Sequence, residues 1–314
     1  MQKILTTLSK NILATVTYYD SMDFPMTEFE VWKHLIRADY YAVDQCAMKI
    51  ELEHVIKELR NKNLAAFLDN RNGFYFLKGR DEIVVKRIAS TKLAAEKIRG
   101  IQSVVSFLRF IPFVRMVAIT GRLAMKNARP QSDWDLLVVL KNKRIWIGRT
   151  LVTLAVHLIG KRRRGKKIAD MVCLNYFVTD ESLEVITKDL FSANEYTFLY
   201  PLFGWEVFKR FQINNKWIRS MKPNYDLVSI CPLKTLRDSR ISSFVRSFGE
   251  LILNFSLLEN VLKTVEKRKI MTNPKTTREG SLIYAHDDAL VFLPDPHGPR
   301  LFEKFKEKIA NFGL

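Results

Sequence analysis

The stretch from Thr120 to Asp135 constrains this chain more than any other. An apolar run, Val114 to Thr120, ends at Gly121. Two aspartates, Asp133 and Asp135, then open a second apolar run through Leu140. The first run is rich in β-branched residues and bounded by Pro112 and Gly121; the second stops at Lys141-Asn142-Lys143. Both read as buried strands. Residues two apart on a strand face the same way, roughly 6.5 Å apart along the axis. Asp133 and Asp135 therefore share a face, where their charges repel by roughly 1–4 kcal/mol at surface-like dielectric. A bound cation reverses that sign, and hard carboxylate oxygens suit Mg²⁺. An isolated Asp-x-Asp can also be only a loop end and a strand-start acid; the glycine turn before it and the apolar run after it weigh against that.

The pattern Gly121, Ala124, Ser132, Asp133, Asp135, Leu136 resembles the nucleotidyltransferase superfamily that includes DNA polymerase β and the minimal nucleotidyltransferases. The resemblance implies an α/β (α+β) catalytic domain with a mixed sheet. It also implies metal-dependent transfer of a nucleotidyl group from an NTP to a hydroxyl on a small molecule, protein or RNA, with Mg²⁺ or Mn²⁺ as cofactor. Asp133 and Asp135 then hold metal. The family's third carboxylate falls to Asp170, which opens another apolar run to Phe177. Two metals about 3.5–4 Å apart hold attacking and leaving oxygens in line. Asp170 is equally readable as a solvated acid after a basic loop. Gly121, Arg122, Ser132 and Lys126 are the expected nucleotide contacts. Arg122 replaces the family's serine and Lys126 a frequent glycine. Both can pair with phosphate oxygens, and both can crowd the nucleotide. The alternative function is a catalytically degenerate scaffold that acts as a basic nucleic-acid-binding or regulatory protein.

The charge balance bears on partners. Lys and Arg number 51 against 33 Asp and Glu, a formal net charge of +18, which attracts polyanions such as RNA. The densest run, Lys161 to Lys167, directly precedes Asp170, so it belongs near one rim of the expected site or in a solvated loop. The 314 residues, 47% of them hydrophobic, suffice for two or three folded domains. Cys46, Cys173 and Cys231 are widely spaced, form no metal motif, and read as reduced, buried small hydrophobes of a cytoplasmic protein. No signal-peptide pattern is visible. The most apolar span, Thr150 to Gly160, is too short to cross a bilayer and reads as a core helix, so no membrane partner is expected. The oligomeric state is not legible.

The chain divides into four expected segments. Residues 1–80 read as a winged helix-turn-helix domain. It has a helix from Leu5 to Thr17, a second begun by the capping box Thr27–Glu30, a third through Ile50 to Leu59, then strands at Leu64–Leu68 and Phe74–Leu77 as a hairpin wing. The third helix is mixed in charge, so the module can serve nucleic acid, protein or structure alone. Residues 81–110 read as a linker helix, 111–180 as the catalytic domain, and 181–314 as a mostly helical C-terminal domain. In the last, Leu251, Phe255, Leu258 and Leu262 recur at helical spacing and suggest one packed face.

Overall fold

The structure, a computed structural model, describes residues 5–38, 49–165 and 167–313. Its N-terminal unit is built on α1 (Thr7–Asp20), whose residues Ile12, Leu13, Val16 and Tyr19 are buried. Then come β1 (Met26–Thr27), α2 (Glu28–Lys33), α3 (Leu52–Leu59), a 3₁₀ turn over Leu64–Ala66, and the strands β2 (Leu68–Arg71) and β3 (Phe74–Leu77). The Thr27–Glu30 capping box forms as the spacing demands, each residue bonding the other's backbone N–H. The strand expected over Leu64–Leu68 does not form. The chain there turns as a 3₁₀ helix, and β2 starts at Leu68, so that Asn72 and Gly73, both at positive φ, make a tight hairpin to β3. The sheet order is β1-β3-β2.

A continuous helix, α4 (Glu82–Leu108), follows. It is more than the expected linker: Ala94, Ile98, Ile101, Val104, Val105 and Leu108 enter the core of the α/β unit. That unit comprises β4 (Val114–Ile119), α5 (Gly121–Ala124), β5 (Trp134–Leu140), α6 (Ile145–Leu158), β6 (Val172–Thr179), α7 (Leu190–Thr197), β7 (Tyr200–Phe203), α8 (Trp205–Asn214), α9 (Ile218–Met221), α10 (Arg240–Leu253), α11 (Ser256–Met271), β8 (Leu282–Ala285), β9 (Ala289–Leu293) and α12 (His297–Ala310).

Six strands form one mixed sheet in the order β7-β4-β5-β6-β9-β8. The pair β5 and β6 is parallel, joined through α6, and the other pairs are antiparallel. The pleat sorts side chains by parity. Leu136, Val138 and Leu140 join the layer of α4 and α6, while Leu137 and Val139 join the layer of α7, α8 and α9. Asp133 and Asp135 share the odd parity of Leu137, so Asp135 emerges on the α7 side.

Segment 181–314 is therefore no separate helical domain. Its strands β7, β8 and β9 complete the sheet, and α12 packs Phe305 and Ile309 against α1. The helix α7 is tied down by an N-cap bond in which Ser192 N–H donates to Asp189 Oδ1 at 2.7 Å. A fully buried Lys222 holds it from the other side, with Nζ donating to Tyr19 Oη at 2.9 Å and Asn194 Oδ1 at 3.0 Å. Burial holds the Lys222 amine well below its ordinary pKa.

Three further expectations are corrected. Leu251 and Phe255 do not form one packed face with Leu258 and Leu262: the helix breaks at Asn254, and Leu251 and Phe255 are exposed. The helix α6 is core along one face only, since Leu154 and Leu158 are exposed. Cys231 is exposed and Cys173 half-buried, while Cys46 lies outside the described residues.

Candidate metal centre

The end of β4 and the start of β5 lie at the same edge of the antiparallel pair. There Gly121 turns the chain at φ +63°, a left-handed conformation that favours glycine. A Cβ at Gly121 would lie 3.0 Å from Asp135 Oδ2, so the turn brings bare backbone against the carboxylate. Asp133 sits just before β5, and Cys173 lies opposite Asp135 in the parallel register of β5 and β6. One ligand atom from each of Asp133, Asp135 and Cys173 falls within 4.8 Å of the others.

Two cationic or polar groups reach into this cluster. Arg163 Nη1 donates to Asp133 Oδ2 at 2.5 Å and lies 3.6 Å from Cys173 Sγ. Asn175 Nδ2 donates to Asp135 Oδ1 at 3.4 Å. The basic run thus does border the aspartates: Arg163 belongs to it, and Arg162 bridges to Val172 on β6.

Negative charge is in excess here. Burial, then repulsion from Asp133, raises the Asp135 carboxyl to about 7, against the moderating pull of Cys173 and Arg163. Burial and the same two aspartates push the Cys173 thiol up to about 12. Arg163 offsets part of this charge, and a bound cation would relieve the rest, so the two carboxylates fit a divalent metal.

Asp170 does not join them. It sits in a left-handed turn, φ 57°, ahead of β6, where Lys97 Nζ bonds its Oδ1 at 2.6 Å. The same amine reaches the carbonyls of Pro130 and Ser132. Asp170 therefore compensates a buried lysine and closes the loop that carries Asp133. Starting β6 at Val172 leaves Asp170 outside the strand, and Cys173 takes the place beside Asp135.

The expected phosphate contacts are scattered. Arg122 is half-buried, with Arg129 and Asp23 as its charged neighbours. Lys126 is exposed, and its carbonyl accepts from Arg87 Nη1 at 3.1 Å. Ser132 Oγ accepts the Arg129 N–H at 3.0 Å and so builds the turn before Asp133. Gly121 alone of the four lies against the aspartates.

One residue escapes a sequence reading altogether. Glu195, on α7, lies near enough to Thr120, Gly121 and Asp135 for their dipoles and charge to act on its carboxyl. Burial, then Asp135, raises its carboxyl to about 7. No spacing signal links it to an aspartate sixty positions earlier; only the packing of α7 on the sheet does.

The fold and site define a mixed α/β protein with an acidic centre at the edge of a glycine turn. No protein family, curated protein or solved structure matches the chain.

Proposed function

We propose that this protein is a metal-dependent nucleotidyltransferase, moving a nucleotidyl group from an NTP to a hydroxyl acceptor. The observation that carries the reading is the approach of the Gly121 backbone to Asp135, with Asp133 on the same strand face. A strand, a glycine turn and an Asp-x-Asp strand start are what a site for metal-bound triphosphate requires. Asp133 and Asp135 would hold the divalent ion, Mg²⁺ or Mn²⁺. The nearby Cys173 sulfur is a donor Mg²⁺ does not favour, which tilts the preference toward Mn²⁺. When bound, the metal neutralises charge building on the phosphate oxygens.

The chain's own residues supply the rest. Arg163, freed from Asp133, is positioned for a phosphate oxygen. The acceptor oxygen attacks the α-phosphorus, the bond to the β-phosphate oxygen breaks, and pyrophosphate leaves. Glu195 stands beside Asp135 with a carboxyl raised to about 7, suited to take the acceptor's proton. The N-terminal unit, three helices and a hairpin in winged-helix order, is proposed to bring the acceptor or a nucleic acid to the site.

The second reading, a degenerate scaffold that binds nucleic acid through its basic surface, draws on a different observation. Glu195 lies by the Thr120–Gly121 turn, where a phosphate would bind. Arg122 has Arg129 and Asp23 as its charged neighbours, and Lys126 is exposed.

Labelled NTPs with Mn²⁺ or Mg²⁺ and a mixture of tRNA, protein and small hydroxyl acceptors test the first reading. Label transfer is expected. Asp133→Asn should lower it on the order of a thousandfold, several kcal/mol of lost charge stabilisation. Full transfer by that variant sinks the assignment; no NTP binding alongside salt-sensitive RNA binding favours the scaffold.

A further inference from the structure

Helix α10 is amphipathic in the inverted sense, its polar residues toward the protein and its apolar residues out, while α11 packs Leu262 and Ile270 on the core and exposes Leu257, Val261 and Val265. On α10 the inward stripe is Ser242, Arg246, Gly249 and Glu250. Ser242 Oγ donates to Asp238 Oδ1 at 2.6 Å, and Arg246 pairs with Asp238 and donates to the Arg109 carbonyl at 2.8 Å. Gly249 passes so close to Pro112 that a Cβ would lie 2.5 Å from its ring. Glu250 is gripped by both Arg115 nitrogens at 2.7 and 2.9 Å and accepts the Phe113 N–H. On α11, Glu259 accepts the N–H groups of Trp146 and Ile147 at the start of α6, Glu266 pairs with Arg149, and Lys263 pairs with Asp287.

The outer faces carry the large apolar side chains. Phe244, Phe248, Leu251 and Leu257 are 70, 55, 76 and 77% exposed, and the Phe244 and Phe248 rings lie parallel at 6.2 Å. Val261 and Val265 continue the surface along α11. A contiguous apolar face of this kind marks an interaction site. Ion pairs, together with Leu262 and Ile270 packed on the core, fix the arm's orientation with the phenylalanines turned to solvent.

Charge selects the occupant. Between Arg237 and Thr272 the acids are Asp238, Glu250, Glu259 and Glu266, and each is held by the partner named above. Arg237, Arg240, Arg268 and Lys269 are exposed. Lys263, Lys267 and Arg268 also line an open groove of about 680 Å³ on α11. The surface is thus apolar in the middle, cationic around it, and without an unheld acid. A second copy would bring like charges together. Nucleic acid would satisfy the cations and leave the phenylalanines unexplained. An anionic bilayer surface satisfies both, its headgroups meeting the cations and its acyl boundary the rings.

Among the described residues no single helix is long and apolar enough to cross a membrane, and α10 and α11 meet at 86°. We propose that the α10–α11 arm lies on an anionic lipid surface, with Phe244, Phe248 and Leu251 inserted and the basic residues at headgroup level. This departs from the sequence expectation of no membrane partner.

The test is flotation of the full chain with vesicles of phosphatidylcholine alone or with about a quarter phosphatidylglycerol. Binding to the anionic vesicles is expected to exceed that to the neutral ones by about tenfold or more. The triple substitution Phe244→Ser, Phe248→Ser, Leu251→Ser should abolish it while leaving the thermal midpoint unchanged, because these side chains are exposed. Three outcomes overturn the proposal. One is wild-type protein that floats with neither vesicle. Another is a concentration-dependent dimer, seen by sedimentation, that the triple variant dissolves. The last is salt-sensitive RNA binding lost in the triple variant while flotation persists.

Discussion

The α-carbon of Gly121 lies against the Asp135 carboxylate so closely that a methyl group there would sit 3.0 Å from Oδ2. The turn also holds φ at +63°, where an L side chain is strained. Gly121→Ala therefore meets two costs, and a loss of about 1–2 kcal/mol of stability is expected. Asp135 must shift to make room, so divalent-metal affinity should fall with it. Chemical denaturation and metal titration of the same variant check both; a stable variant with unchanged metal affinity would mean that the close approach is incidental.

Asp170 and Lys97 make a second prediction. The lysine side chain is 4% exposed and the aspartate 48%, so one charge is buried and the other partly solvated. Asp170→Ala leaves the buried amine with only the Pro130 and Ser132 carbonyls. Water at the exposed side softens the loss, and about 1–2 kcal/mol is expected. Under the proposed function, label transfer per folded molecule should survive, whereas Glu195→Gln should reduce it. Transfer abolished in Asp170→Asn with stability intact would return Asp170 to the chemistry.

The contrast between Asp170 and Glu195 shows how far the sequence reaches. The strands flanking Gly121, the Asp-x-Asp at the start of β5 and the Thr27–Glu30 capping box are all local patterns, and each forms where its spacing says. Cys173 and Glu195 depend on events no window contains. The parallel register of β5 with β6 brings in the first, and the seating of α7 by Asp189 and the buried Lys222 brings in the second. Helical periodicity in α10 and α11 is equally legible, but periodicity gives an apolar stripe and not the direction it faces. Here Glu250 and Glu259 find partners on the body of the protein, and those partners decide it.

Acid titration offers the last prediction. Asp135 and Glu195 both have folded-state values of about 7, raised first by burial and then by a neighbouring aspartate: Asp133 for the one, Asp135 for the other. Unfolded carboxyls release their protons near pH 4. From about pH 5 to 7 the folded chain thus keeps protons that the unfolded chain has already lost. With more protons bound to the native state, stability falls as pH rises through that window. Below it the trend turns over, because Glu250 and Asp238, held low by arginine bonds, lose their contribution as pH drops through their folded values. Because Asp135 and Glu195 interact, the steps belong to the pair. Denaturant midpoints measured across about pH 5 to 8 should therefore decline. Asp135→Asn should flatten the decline, since it removes one titrating group and the charge that raises the other. A divalent cation should restore stability at the alkaline end, where both carboxyls are charged. A profile that rises through the window would mean that the two carboxyls are already ionised and compensated in the folded protein.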